Sequence, residues 1–293
     1  MKETYKPIET EEYLGYHIFR PIASWIVKAV AHTPVTPNQL TVMSLVFGIG
    51  SGFFLYYADG VLLTSLSVLC LFIANVFDNS DGQLARFRGT ESLYGRVFDG
   101  LIDNLVFASV YLAACLKFTG EYGPVIWLMG VAAAVSHSLQ SSYFDYYRNE
   151  YIDIVVKGFK GEKTTSSEIL KAIDSNKRQS GKYFERFLLY TYLNYTQVQE
   201  KVNKKYIGFR KQNAIPSDYT VTYKRKNLPL LRLWSILGPT AHITYVMFFI
   251  ALGAMDQYFI FEIIILNIHM LIMKIVQNRM IQTLKRDLWG EIL

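Results

Sequence analysis

The chain has 293 residues, with 30 Lys and Arg against 24 Asp and Glu, and hydrophobic residues make up 51% of it. This hydrophobic share excludes an intrinsically disordered chain. The two cysteines are too few for a disulfide framework or a cysteine-based zinc site.

The N-terminal region predicts a helix that lies on the membrane rather than across it. The first ten residues are polar and charged, so we expect no signal peptide. Residues 11–31 carry apolar side chains at helical spacing with basic residues between them, which is typical of an interfacial amphipathic helix. The sequence Thr-Pro-Val-Thr-Pro-Asn at 33–38 ends this helix before the first apolar stretch.

Six apolar stretches are long enough, or nearly so, to cross a hydrocarbon core, which needs about 20 residues. These predicted spans are 39–58, 61–77, 95–118, 124–147, 229–252 and 258–277. Each could instead be a buried core helix, but the first two contain no charged residue, which favours a membrane. We therefore expect an all-α, polytopic integral membrane protein with six transmembrane helices and an N-terminal interfacial helix.

The positions of Lys and Arg predict the orientation of these spans. Of the 30 basic residues, 26 lie in segments that would face one side, and the short loops on the other side contain none. The positive-inside rule then places both termini and the loop at 78–94 in the cytoplasm, at the inner membrane of the cell. Nucleic acid is a poor partner, because the basic residues flank spans rather than form a separate domain.

Four segments follow from this reading of the chain. They are a cytoplasmic N-terminus with the interfacial helix (1–38), the first four spans (39–147), a basic cytoplasmic insert (148–228), and the last two spans with the C-terminal tail (229–293).

Four aspartates fall where the second predicted span ends and the third begins: Asp78, Asp81, Asp99 and Asp103. Residues three or four apart share one face of a helix, so these aspartates form two stripes. Two helices joined by a loop of about eight residues can run antiparallel and bring the stripes together. The sequence thus predicts that four carboxylates converge near the cytoplasmic ends of the two spans.

Such a cluster predicts a divalent cation, since four neighbouring carboxylates cannot all stay ionised without one. Oxygen-only ligands favour Mg²⁺ or Mn²⁺ over zinc. Gly82 and Ala85 leave room for a bulky group beside the acids, and with Arg86 they suit a diphosphate. The alternative is a salt-bridge network in which the acids pair with Arg86, Arg88 and Arg96.

Four further residues are weaker candidates. Asn38 and Thr41, at the entry of the first span, could contact a substrate; for Asn38 a helix N-cap is the alternative. His137, in the fourth span, could line a substrate pocket or serve as polar packing. Arg148, at the end of that span, could bind a phosphate or anchor the span at the cytoplasmic surface.

Eight positions between 78 and 103 fit the pattern D-x2-D-G-x2-A-R-x8-G-x3-D-x3-D. This resembles the signature of the CDP-alcohol phosphotransferases, which are integral membrane enzymes of phospholipid synthesis. The resemblance implies transfer of a phosphoalcohol group from a CDP-linked alcohol to an acceptor hydroxyl, with release of CMP.

The resemblance also implies roles for individual residues. Asp78, Asp81 and Asp99 would hold a pair of metal ions, while Asp103 would act as general base and touch the metal as well. The expected contacts to the donor include the two residues at the entry of the first span. The full set is Asn38, Thr41, Asp81, Gly82, Ala85, Arg86 and Gly95. A homodimer is implied too, because the family is typically homodimeric.

Alternatives remain for both substrate and class. The donor is expected to be CDP-diacylglycerol with a soluble polar alcohol as acceptor, and the alternative is a soluble donor such as CDP-choline with diacylglycerol. From other classes, a divalent-cation transporter would also place carboxylates in spans, but near the bilayer midplane. A non-catalytic scaffold would explain the insert but not the motif.

Overall fold

The computed structural model describes residues 8–156, 166–177, 183, 185–193, 196–197 and 217–289. The described residues form helices and no strand, which confirms the all-α prediction. The α-helices are α1 (Arg20–Val30), α2 (Pro37–Tyr56), α3 (Val61–Arg88), α4 (Leu93–Tyr122), α5 (Val125–Val155), α6 (Ser166–Lys177), α7 (Ser217–Trp234), α8 (Pro239–Ala251), α9 (Met255–Ile260) and α10 (Asn267–Trp289). Two π-helical segments, Gly15–Phe19 and Phe261–Leu266, precede α1 and α10.

In the part of the chain that the structure describes, four stretches of helix are long and apolar enough to cross a membrane. They are α2, α3, α4 and the stretch Met255–Leu284, and the bent pair Tyr219–Leu237 and Pro239–Ala251 provides a fifth if it counts as one span. The protein is therefore a polytopic integral membrane protein. Helix α5 covers the predicted span 124–147, but its composition alone does not identify it as a span. The count of six spans stays a prediction.

Helix α1 has two apolar faces. Ala23 and Val27 are buried on the face that packs against α3. On the other face Ile22 and Trp25 are exposed, with Trp25 at 75%, and Ile18 of the preceding π-helical segment is exposed as well. A helix that is packed against the protein on one side and apolar on the other suits the boundary of a membrane.

The described residues divide into two compact units. The first holds residues 1–141 and 235–270, and the second holds 142–234 and 271–293. Helices α5 and α10 contribute to both units. Within the predicted insert at 148–228, residues 157–165 and most of 178–216 lie outside the described residues.

In the first unit, helix α2 packs against both α3 and α4, and two glycines set its distance from α4. A Cβ atom on Gly52 would lie 2.8 Å from the carbonyl oxygen of Ser109, and one on Gly48 would lie 2.5 Å from Val106. Their spacing of four is the small-xxx-small pattern of close helix pairs in membranes. Towards α3, the Ser51 and Ser67 hydroxyls lie 3.2 Å apart.

Candidate metal and substrate site

The first turn of α2 is fixed by its own cap. The Thr36 hydroxyl accepts a hydrogen bond from the Gln39 backbone N–H at 3.3 Å, and the Gln39 side chain accepts one from the Thr36 N–H at 2.8 Å. This is a capping box. The N-cap is therefore Thr36, and the N-cap alternative for Asn38 is wrong because Asn38 lies inside the helix. The Asn38 side chain is exposed.

Arg88, at the end of α3, anchors the turn that leads into α2. Its guanidinium donates to the carbonyl oxygens of Val30, Ala31, Thr33 and Val35 at 2.5–3.2 Å. These are charge-assisted hydrogen bonds to carbonyls at the end of α1 and in the turn that follows it. The alternative of a salt-bridge network thus loses one of its three arginines, because Arg88 binds backbone carbonyls instead.

The turn between α3 and α4 is shorter than the sequence suggested. Gly89 ends α3 in the left-handed conformation, with φ of 63°, which glycine adopts without strain. Ser92 begins α4 by accepting a hydrogen bond from the Gly95 N–H at 3.0 Å. Only 89–92 separate the helices, not about eight residues, because α3 runs on to Arg88.

Three of the four aspartates meet at this end of the two helices. Carboxylate oxygens of Asp78 on α3 and of Asp99 and Asp103 on α4 all lie within 4.8 Å of one another. All three side chains are partly buried. The predicted convergence of the two stripes is therefore present, with one residue from α3 and two from α4.

The fourth aspartate is held differently. Asp81 is 5% exposed, and its Oδ2 accepts a hydrogen bond from the Thr41 hydroxyl of α2 at 2.5 Å. Asp81 is close enough to Asp99 for the two carboxyl groups to interact directly. The structure thus brings Asp81 beside the three-carboxylate cluster without making it one of the three.

The donor set suits a hard divalent cation. At 4.8 Å, two carboxylates repel each other by about 3.5 kcal/mol at an effective dielectric constant of about 20. Asp99 Oδ1 is buried and has no hydrogen-bond partner among the described residues, as expected of an oxygen that is available to a cation. Oxygen donors at this spacing are the ligands that hard divalent cations prefer.

The small residues of the motif lie next to the polar ones. A Cβ atom on Gly82 would lie 3.4 Å from the Arg86 guanidinium, so this side chain folds back over the glycine. A Cβ atom on Gly95 would lie 4.0 Å from Asn38 Oδ1, which brings the start of α4 close to the start of α2. Ala85, between them in sequence, is partly buried. These residues border the carboxylate cluster on α2, α3 and α4.

His137 lies in the core of the first unit. Its ring stacks on His242 at 4.0 Å between centroids, and Phe107 packs edge-on against it at 4.2 Å. Its Nδ1 is 3.3 Å from the Tyr111 hydroxyl. These contacts are those of a packed polar side chain. Arg148 lies in the second unit, where it pairs with Asp145 at 2.8 Å.

His137 belongs to a buried polar network that the sequence did not predict. The Tyr111 and Tyr258 hydroxyls lie 2.9 Å apart, Tyr258 donates to Glu262 Oε2 at 2.9 Å, and His242 Nδ1 lies 3.1 Å from the same oxygen. Glu262 sits in the π-helical segment before α10. The members of the network come from five helical segments, which are α4, α5, α8, α9 and the π-helical segment. Tyr111 is eight residues beyond Asp103, or about 12 Å along α4.

The fold and the cluster define a polytopic helical membrane protein with a carboxylate site between α3 and α4. Residues 34–170 match the family described as CDP-alcohol phosphatidyltransferase. This domain match confirms the resemblance that the aspartate motif carries. The domain contains the carboxylate cluster, Thr41 and the glycines around them.

One similar curated protein is the phosphatidylinositol phosphate synthase of Cutibacterium acnes. It is 26% identical to this chain over 126 residues. The match covers 43% of this chain and 58% of that protein.

Proposed function

We propose that the protein transfers a phosphatidyl group from CDP-diacylglycerol to the hydroxyl of a soluble polar alcohol and releases CMP. The observation that carries the proposal is the cluster of Asp78, Asp99 and Asp103, which meets within 4.8 Å inside the family domain. A cluster of this kind suits a substrate that brings two phosphates and needs their charge neutralised.

The four aspartates have two roles in the proposed reaction. Asp78, Asp81, Asp99 and Asp103 would hold two Mg²⁺ or Mn²⁺ ions, and such ions would supply positive charge to the diphosphate and to the CMP leaving group. Asp103 also accepts the proton of the acceptor hydroxyl. The hydroxyl oxygen bonds to the β-phosphorus as the bond from that phosphorus to CMP breaks, and the hydroxyl proton passes to Asp103.

The donor is held by residues that border the carboxylates. Arg86, whose guanidinium lies over Gly82, faces the diphosphate. Gly82, Ala85 and Gly95 let the cytidine approach the helices, and Asn38 offers a side-chain amide at the same end of α2.

The acceptor is proposed from chemistry and from the relative. The name of the Cutibacterium acnes protein favours an inositol phosphate, whose anionic phosphate requires basic residues at the mouth of the site. Arg148 is the proposed phosphate contact. A part for His137 in the acceptor pocket stays a prediction, because its contacts are those of a packed side chain. The pairing of CDP-choline with diacylglycerol is the alternative, since the motif does not distinguish the donors.

The membrane setting is part of the proposal. The distribution of basic residues supports an inner-membrane protein whose termini and carboxylate cluster face the cytoplasm. There the site is open to a lipid donor from the bilayer and to a soluble acceptor from the cytoplasm. A homodimer is proposed as the assembly, on the basis of the family.

Product analysis tests the choice of substrates. The purified protein is incubated in lipid vesicles with CDP-diacylglycerol or CDP-choline, each with inositol phosphate, glycerol phosphate, serine or diacylglycerol, and the lipids are identified by mass spectrometry. We expect a new phosphatidyl lipid only with CDP-diacylglycerol and a soluble acceptor. Phosphatidylcholine from CDP-choline and diacylglycerol would overturn the donor assignment, and no product from any pair would overturn the proposal.

A further inference from the structure

The contact between Thr41 and Asp81 joins two helices at the edge of the carboxylate cluster. The residues are 40 positions apart in sequence, both side chains are at least 95% buried, and the hydroxyl lies 2.5 Å from Asp81 Oδ2. The same hydroxyl also lies 3.2 Å from the Pro37 carbonyl oxygen. A hydroxyl has one proton, and the shorter contact is the one to the carboxylate.

The backbone on both sides of this contact is held in place. Leu40, beside Thr41, and Leu84, one turn beyond Asp81, pack together with Val27 of α1 in a small apolar core. The capping box at Thr36 and the Arg88 hydrogen bonds fix the entry to α2. The hydroxyl is therefore presented to Asp81 from a defined position rather than from a loose helix end.

This position matters because Asp81 has both repulsive and attractive neighbours. The Asp78 carboxyl group repels it, whereas the Thr41 hydroxyl, the Gly82 backbone and the Asp99 carboxyl group make favourable contacts with it. With Oδ2 engaged, the orientation of the carboxylate is set and the second oxygen is directed by the same rotamer. Hydrogen bonds of this kind orient metal-binding carboxylates and tune their affinity.

We infer that Thr41 is a positioning residue for the metal site, which fixes Asp81 beside Asp78 and Asp99, rather than a contact to the nucleotide donor. Thr41 is 3% exposed and its hydroxyl is engaged, so little of the side chain is available to a substrate. The inference rests on the proposed function, because it assumes that the carboxylates bind a divalent cation.

The test measures metal binding without turnover. Full-length protein in lipid nanodiscs is titrated with Mn²⁺, and the free ion is followed by its electron paramagnetic resonance signal. We expect Thr41→Val, which keeps the shape and removes the hydroxyl, to weaken Mn²⁺ binding about 10–100-fold. Thr41→Ser retains the hydroxyl and should bind Mn²⁺ within about threefold of the wild type.

Ser51→Ala provides the matched control. It removes one of two buried polar contacts between Ser51 and Ser67 on the same two helices, about 15 Å further along α2 than Thr41. The second contact, in which the Ser67 hydroxyl donates to the Ser51 carbonyl oxygen at 2.8 Å, is kept. We expect this variant to keep the Mn²⁺ affinity of the wild type. An equal loss in Ser51→Ala and Thr41→Val would contradict the inference, because the cause would then be looser packing of α2 on α3.

Two further outcomes separate this inference from the proposed function. Unchanged Mn²⁺ affinity in Thr41→Val would overturn the positioning role even if the wild type makes product. A wild type that binds Mn²⁺ and loses affinity in Thr41→Val, yet forms no lipid product, would support the positioning role and contradict the proposed function.

Discussion

Removing one acid from the carboxylate cluster should raise the free energy of unfolding of the protein when metal is absent. Asp99 is the residue to change, because it interacts with the other three aspartates and its Oδ1 has no hydrogen-bond partner among the described residues. Asp99→Asn keeps the size of the side chain and removes its negative charge. The repulsion within the cluster is then relieved.

The size of the effect follows from the geometry. Two carboxylates at most 4.8 Å apart repel each other by at least about 3.5 kcal/mol at an effective dielectric constant of about 20. The wild type can avoid this repulsion by taking up a proton, which for an ordinary aspartate at pH 7 costs about 4 kcal/mol. Solvent screening of these partly buried groups lowers the gain, so we expect about 1–3 kcal/mol, or roughly 2–12 °C in Tm.

Thermal unfolding of the purified protein in EDTA and in Mg²⁺ measures this. In EDTA the Asp99→Asn variant should unfold at a higher temperature than the wild type. In Mg²⁺ the wild type should gain stability, by about 2.7 kcal/mol at 100 times Kd, and the variant should gain much less. Asp59→Asn, at an exposed aspartate outside the cluster, should change neither value. A variant that is less stable than the wild type in EDTA would refute the reasoning.

Three other substitutions test separate parts of the structure. Asp103→Asn should leave CDP-alcohol affinity near normal and lower turnover at least about 100-fold, and recovery of the rate at high Mg²⁺ would identify Asp103 as a metal ligand rather than the base. Gly52→Ala should cost about 1–3 kcal/mol in unfolding experiments, because its Cβ would lie 2.8 Å from a backbone oxygen of α4, whereas Gly100→Ala, with open space around it, should not destabilise. Glu262→Ala should cost about 2–6 kcal/mol, equally with and without Mg²⁺, since it leaves two buried groups without their hydrogen-bond partner.

The sequence predicted the features that depend on local spacing. The helical positions of α2, α3 and α4 followed from apolar length, and the meeting of Asp78 with Asp99 and Asp103 followed from spacings of three and four on two neighbouring helices. The loop length was wrong because the polar end of α3 reads as loop in a hydropathy pattern. This end of α3 remains helical, and Arg88 within it donates hydrogen bonds to the turn before α2.

Contacts between distant residues could not be predicted in this way. The Thr41 hydroxyl meets Asp81 across 40 residues, and Tyr111 meets Tyr258 across 147. Neither pairing leaves a periodic signal, because each depends on how the helices pack. Gly48 and Gly52 are different, since their small-xxx-small spacing is visible in the sequence and would have predicted a close helix contact.

The central claim is that the clustered aspartates support metal-dependent cleavage of a CDP-linked alcohol, and release of CMP tests it most directly. The protein in CDP-diacylglycerol vesicles with an acceptor alcohol is treated with excess EDTA and then with Mn²⁺, and CMP is measured over time. We predict no release in EDTA, restored release with Mn²⁺, and almost none from Asp78→Asn under either condition. CMP release that persists in EDTA, or that survives in Asp78→Asn, would contradict the account.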